Sequence, residues 1–157
     1  MIISASRRTD IPAFFLEWFF KRIEEGFLLV RNPMNLHQIS RISLSPDVVD
    51  CIVFWSKNPG KMINKLERLK GYSYYFQFTI TGYGQRLEPN VPLMQEAIDT
   101  FIVLSNLIGK ERLIWRYEPI ILTDRFDFHY HASNFENIAK QLQGKTYRFS
   151  YILLTIK

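Results

Sequence analysis

The run Asp50-Cys51-Ile52-Val53-Phe54-Trp55, halted at Ser56-Lys57-Asn58-Pro59-Gly60, decides the architecture of this chain. A continuous apolar stretch of this kind describes a strand covered on both faces, the situation inside a parallel sheet. Downstream, strand and helix alternate. Met62, Ile63, Leu66 and Leu69 share one helical face up to Gly71, and Tyr74 to Ile80 is the next strand, ending in Thr81-Gly82-Tyr83-Gly84. A polar loop with Pro89 and Pro92 leads into the longest predicted helix, where Met94, Ala97, Ile98, Phe101, Ile102 and Ser105 recur at helical spacing until Gly109. Arg112 to Tyr117 reads as a strand closed by Glu118-Pro119. The last helix is expected to open at Ser133-Asn134-Phe135-Glu136, a capping box, and to bury Phe135, Ile138, Ala139 and Leu142 ahead of a final strand from Phe149 to Ile156.

Upstream, Ile2 to Ser6 is a short strand, and Arg7-Arg8-Thr9-Asp10-Ile11-Pro12 carries helix-start chemistry, with Thr9 or Asp10 as N-cap and Pro12 in the first turn. The helix that follows runs to about Glu25, with Phe15, Trp18, Phe19 and Ile23 at helical spacing and Gly26 at the terminating position. Phe27 to Arg31 and Gln38 to Leu44 are extended, and Asn32-Pro33-Met34-Asn35 between them is too short for a crossover helix, so they form an inserted β-hairpin. Arg31 and Arg41 are expected to face each other across it. The alternation specifies a mostly parallel sheet with right-handed crossovers. A closed eight-unit barrel takes about 250 residues. The 157 residues are therefore read as a single α/β domain over 1–157, a partial (half) TIM-like β/α barrel, with a doubly wound sheet as the alternative.

Composition narrows the function classes. Hydrophobic residues at 47% and charged residues at 22% exclude disorder and low-complexity arrays. A formal charge of +5 permits an anionic ligand, nucleic acid included, without demanding one. The only cysteine is Cys51, so these residues hold no internal disulfide and fall short of the thiolates that an iron–sulfur cluster takes. The N-terminus lacks a basic segment ahead of a long apolar stretch, and no apolar run approaches the length of a membrane span, so a soluble cytoplasmic location is expected and no membrane partner.

In parallel α/β folds the loops after the carboxyl ends of the strands line the site. Those loops contribute Ser4, Ser6, Arg7, Arg8 and Asp10, then Trp55, Lys57 and Asn58, then Thr79, Thr81 and Tyr83, and finally Arg116, Tyr117 and Glu118. Arg7 and Arg8 precede a helix N-terminus, where free amides and the dipole favour an anion, or else one of them pairs with Asp10 or Glu17. Lys57-Asn58 can add a point charge and an amide to the same mouth. Arg116 and Glu118 place a cation and a carboxylate at one strand end, suited to gripping a zwitterion, to acid–base work, or to a structural ion pair. His129 and His131, with Asp124 and Asp127 nearby, lack a further strong ligand at a defined spacing and read as loop histidines with no metal. Cys51 reads as a core residue. Among Tyr72, Tyr74, Tyr75, Phe76 and Phe78, alternation along a buried strand accounts for the two phenylalanines, with base stacking a lesser alternative.

Several stretches carry a resemblance. Ile3-Ser4-Ala5-Ser6-Arg7-Arg8-Thr9-Asp10-Ile11-Pro12-Ala13, Leu29-Val30-Arg31-Asn32-Pro33, Ser40-Arg41-Ile42-Ser43-Leu44-Ser45-Pro46 and Val53-Phe54-Trp55-Ser56-Lys57-Asn58-Pro59 are similar to the bacterial family catalogued as domain of unknown function 1848. So are Gln77-Phe78-Thr79-Ile80-Thr81-Gly82-Tyr83, Glu88-Pro89 and Trp115-Arg116-Tyr117-Glu118-Pro119-Ile120, and the resemblance covers nearly the whole chain. Longer members of that family carry a C-terminal cysteine cluster similar to the iron–sulfur motif of radical S-adenosylmethionine enzymes. The resemblance implies a partial barrel whose mouth holds S-adenosylmethionine and a substrate, with Arg7, Arg8, Lys57 and Arg116 facing an anionic client. Leu153 and Thr155 stand where the family pattern leads one to expect an acidic residue and a tyrosine.

The expected function is that of the N-terminal portion of a radical S-adenosylmethionine-like enzyme, inactive without the cluster-bearing part. Ser6, Arg7, Arg8, Asp10, Lys57, Asn58, Thr81 and Arg116 are the expected substrate or anion contacts, and Arg116 and Glu118 the candidate catalytic pair. The alternative is a non-enzymatic module binding nucleotide or nucleic acid through the same basic mouth. An open barrel exposes an edge and an apolar face, so self-association or pairing with a C-terminal half is expected.

Overall fold

The computed structural model describes residues 1–5 and 9–154. Five parallel strands form one sheet in the order β1 (Ile2–Ala5), β4 (Cys51–Ser56), β5 (Tyr74–Thr79), β6 (Leu113–Ile121) and β7 (Arg148–Leu154). The intervening β2 (Phe27–Arg31) and β3 (Ile39–Ser43) pair antiparallel as a separate hairpin sheet. From β4 onward each strand lies beside its predecessor, so the chain advances across the sheet in one direction. The reversal of strand order that marks a doubly wound sheet is not found among the described residues.

Alternation along the strands divides the sheet into two faces. In-register positions Ile3–Ile52–Tyr74, Ala5–Phe54–Phe76–Leu113 and Phe78–Trp115–Phe149 run across the face that the helices cover. Phe54 stacks on Phe76 at 5.0 Å between ring centres, Phe19 of α2 (Leu16–Glu25) meets Phe54 edge-on at 5.3 Å, and Phe101 of α4 (Met94–Ile108) meets Phe78 at 5.6 Å. Farther along, Phe135 of α5 (Phe128–Gln141) stacks on Trp115 at 4.7 Å. The aromatic richness of the sequence is thus spent largely on one layer between sheet and helices, including the Phe76 and Phe78 expected there.

Several boundaries differ from expectation for identifiable reasons. The first helix is two: α1 (Ile11–Phe14) and α2 meet at Phe15, where the backbone leaves helical geometry at φ −127° and ψ 27°. The short first piece stays tied to Asp10, its N-cap, while the second turns Leu16, Phe19 and Phe20 into the core. Gly26 ends α2 with φ 74°, a conformation that glycine adopts without steric cost. The helix after β4 shortens to α3 (Gly60–Ile63) followed by a 3₁₀ turn over Leu66–Leu69. That tighter winding leaves Met62 and Leu69 buried, and Lys65 and Arg68 pair with Glu17 and Glu24 of α2.

Strand β6 does not close at Glu118-Pro119 but continues to Ile121, and its register with β7 shifts between Tyr117 and Ile120. Proline has no N–H for the ladder, and the irregularity falls where that bond is missing. Helix α5 starts at Phe128 rather than at Ser133, because Asp127 accepts a 2.7 Å hydrogen bond from the Tyr130 amide and supplies the cap. Ser133 is interior and no capping box forms there. His129 and His131 are consequently helical, not loop, residues. In the hairpin Arg41 opposes Leu29 and Arg31 opposes Ile39, so the arginines lie diagonally instead of face to face, and Arg41 covers Phe27 at 4.1 Å.

The stacked pair Phe54–Phe76 joins adjacent strands at the centre of the covered face, so Phe76→Ala should lower unfolding free energy by about 3–5 kcal/mol in a urea titration.

Candidate functional site

The face opposite the helices carries the chemistry. Its in-register rows are Trp55–Gln77–Ile114–Arg148 and, one step nearer the carboxyl ends, Thr79–Arg116–Ser150. Arg116 leaves β6, crosses the width of β5 and lays its guanidinium over the Trp55 ring at 4.2 Å. It also forms an ion pair with the buried Glu118, two residues farther along the same strand. Burial disfavours its cation, which lowers the Arg116 pKa from its ordinary value. Among the described residues the indole N–H of Trp55 is buried without a hydrogen-bond partner, so the platform under Arg116 keeps an unused donor.

A second pair sits beside it. Lys57, just past the end of β4, pairs with Glu88 from the loop after β5, and Glu88 also accepts a 2.9 Å hydrogen bond from the buried Thr81 hydroxyl. Thr79, Thr81, Gly82, Gly84 and Glu88 line a cleft of about 210 Å³ against Leu93, Met94 and Ala97 at the start of α4. Gly82 has φ 73°, and a Cβ there would lie 2.8 Å from the Asn134 amide, so only glycine fits between the loop and α5.

Asp10 takes the N-cap role expected of it and ties α1 to β4 besides. Its carboxylate accepts hydrogen bonds from the Ser56 hydroxyl at 2.8 and 2.9 Å, the Lys57 amide at 2.8 Å and the Ala13 amide at 3.0 Å. Three donors are thereby held in tying the start of α1 to the end of β4, so Asp10 positions the mouth. Asn58 is fixed in the same turn by its own amide, which donates to the Ser56 hydroxyl at 2.9 Å. Ser6, Arg7 and Arg8 lie outside the described residues. Glu17, an alternative partner for those arginines, pairs with Lys65 and Arg68.

The structure therefore gathers Lys57, Thr81, Arg116 and Glu118 at the strand ends, and adds Glu88 and Ser56, which the sequence reading left out. Glu88 had a signal, being the sole carboxylate between Thr79 and Met94. His131 is drawn into a different assembly: Nδ1 lies 3.0 Å from the Tyr117 hydroxyl and Nε2 3.1 Å from the Ile121 carbonyl. The Asn134 amide donates to Tyr117 Oη at 3.0 Å and to the Thr81 carbonyl at 2.6 Å. Among the described residues, no group of three or more His, Cys, Asp and Glu side chains is placed to hold a metal ion. The Cys51 thiol stands at the start of β4, the end away from the mouth, and burial pushes its pKa up. One protonated thiol at that end does not fit an iron–sulfur cluster.

The family described as Domain of unknown function (DUF1848) matches residues 2–156, and the chain belongs to that family. No curated protein and no solved structure shows a significant match. No helix among the described residues is long and apolar enough to cross a membrane.

Removing the Asp10 carboxylate should loosen the mouth before it loosens the core. Asp10→Ala is expected to cost about 2–3 kcal/mol in urea unfolding, from a lost N-cap and stranded donors at Ser56 and Lys57. Burial also raises the Tyr117 pKa to about 12. An unfolded tyrosine loses its proton near pH 10 while the folded one retains it, so stability present below pH 10 should fall as pH rises toward 12. Thermal unfolding followed from pH 8 to pH 12 checks this, with phenolate absorbance reporting the protonation.

Proposed function

We propose that this chain is the substrate-side portion of a partial β/α barrel, and that its strand-end mouth binds a small zwitterion of the S-adenosylmethionine type. What carries the reading is that two described mouth cations are each paired with a carboxylate: Arg116 with Glu118, and Lys57 with Glu88. An anionic phosphodiester would have to displace both carboxylates, each of which repels it. An amino acid moiety instead exchanges partners, its carboxylate taking Arg116 or Lys57 and its ammonium taking Glu118 or Glu88. Thr81 and Asn58 sit beside those pairs.

The one-way strand order supports the barrel reading, since right-handed crossovers then put successive helices on one side and leave the other side concave. S-adenosylmethionine supplies, when bound, an electrophilic sulfonium group. The residues described here would bind and orient it, with Arg116 and Glu118 the pair nearest a reacting group. The cluster that the family resemblance implies finds no ligand set among the described residues, so the part this reading gives them is binding and orientation.

Isothermal titration calorimetry of the chain with S-adenosylmethionine should give a saturable signal. Methylthioadenosine, which lacks the amino acid moiety, should bind at least tenfold more weakly. Arg116→Ala should cost S-adenosylmethionine a comparable factor. Equal affinity for the two compounds, or indifference to Arg116→Ala, refutes the zwitterion reading. A steeply salt-dependent affinity for oligonucleotides would favour the nucleic-acid reading in its place.

A further inference from the structure

We infer that the cleft between the end of β5 and the start of α4 is a side-chain pocket for a second guest, an α-amino acid with a branched alkyl or single-ring side chain, whose charged head opens the Lys57–Glu88 pair. The inference rests on the reading of the mouth as a zwitterion site and divides its two ion pairs between two guests. Arg116 and Glu118 serve the S-adenosylmethionine-type molecule, and Lys57 and Glu88 serve the amino acid.

The walls of the cleft come from one continuous stretch, Thr79 to Ala97, so strand end, loop and helix start enclose the space together. It exists because three positions on that stretch are small. Ala97 is buried on the helix face where Ile98 and Phe101 fill the core, and its methyl group leaves the floor low. Gly82 and Gly84 hold φ of 73° and 75°, and a Cβ at Gly84 would meet nothing within 4 Å. Ile80, Val91, Pro92, Leu93 and Met94 supply apolar surface around them. An apolar cavity of roughly 150 Å³ takes a benzene ring, and pockets for larger organic ligands begin at about 300 Å³. A volume of about 210 Å³ therefore suits a leucine or phenylalanine side chain and shuts out a nucleoside.

Charge sets how the guest lies. Glu88 is the only charged side chain among the described residues that line the cleft, and its partner Lys57 stands outside that lining. Each carboxylate oxygen accepts in two directions, so Glu88 keeps acceptor capacity beyond the bonds to Thr81 and Lys57. The α4 dipole, which favours an anion at this end, is already met by Glu96, whose carboxylate accepts from the Leu93 amide at 3.1 Å. An amino acid thus docks with its ammonium on Glu88, its carboxylate on Lys57 and its side chain in the cleft behind Glu88.

Methyl-¹³C methionine labelling of the full chain gives a direct readout. The Met94 sulfur lies 3.1 Å from the position of a Gly82 Cβ, at the cleft, whereas Met34 is exposed in the hairpin turn and Met62 is buried in α3. L-leucine or L-phenylalanine should shift the Met94 methyl resonance saturably and leave those of Met34 and Met62 in place. Glycine has the head without the side chain, and 4-methylpentanoate is leucine without its ammonium. Each should bind at least about tenfold more weakly than leucine by calorimetry. Ala97→Val, which raises the floor, and Glu88→Gln should each weaken leucine by a similar factor in a chain that keeps its far-ultraviolet circular dichroism. A Met94 resonance that leucine leaves in place, glycine or 4-methylpentanoate as tight as leucine, or full leucine affinity in either variant overturns the inference. The ligand series on the unaltered chain decides the matter should a variant fail to fold. No titration in the series contains S-adenosylmethionine, so the expected pattern in a chain that fails to bind that compound keeps the pocket and removes only the S-adenosylmethionine reading. Binding of S-adenosylmethionine with no response to leucine removes the pocket alone.

Discussion

The Asp10 carboxylate is the tie on which the mouth of this sheet depends. One side chain caps α1, holds the Ser56 hydroxyl and fixes the Lys57 amide, so the start of α1 and the end of β4 are held as one piece. A carboxylate makes stronger hydrogen bonds than a neutral acceptor, and here it makes them to a helix start and a strand end that are neighbours in space and far apart in sequence. The break between α1 and α2 follows from it. A helix anchored at its first turn over β4 has to bend before its remaining length can lay Leu16, Phe19 and Phe20 on the core. The direction in which Lys57 leaves the sheet toward Glu88 is set by the same tie.

Much of the fold was legible because hydrophobic period and turn chemistry agree along the chain. The run at Cys51–Ser56, the alternation at Tyr74–Thr79 and the long apolar face of Met94–Ile108 each stand within a residue or two of where periodicity puts them. The losses are instructive. Ser133 and Glu136 have the spacing of a capping box, yet Asp127 had already capped the helix, and spacing alone does not say which of two competent caps comes first. Proline after Glu118 read as a stop, whereas a strand absorbs it at a register shift.

The site was legible as a location more than as a set of roles. Strand ends pointed to Lys57, Thr81, Arg116 and Glu118, and those side chains do gather there. Asp10 was legible as an N-cap from its place before Ile11-Pro12, whereas its bonds to Ser56 and Lys57 were not, because those donors lie 46 and 47 residues away in sequence. Partners such as Glu88 and Lys57, 31 residues apart, become neighbours only when parallel strands bring successive loops to one end of the sheet. Charge counting had suggested a basic mouth. The two described ion pairs, Arg116 with Glu118 and Lys57 with Glu88, add dipolar character to it.

The hydrogen bonds around Tyr117 have a mechanical consequence. Helix α5 is fastened to the loop after β5 twice, through Asn134 to the Thr81 carbonyl at 2.6 Å and through the Tyr130 hydroxyl to the Gly82 carbonyl at 2.9 Å. It is fastened to β6 through His131 and Tyr117. One flank of α5 borders the apolar groove while the other grips the loop that delivers Glu88. A sideways displacement of this helix would be transmitted like the motion of a lever, so that whatever packs against the sheet edge also sets the tension on the walls of the cleft.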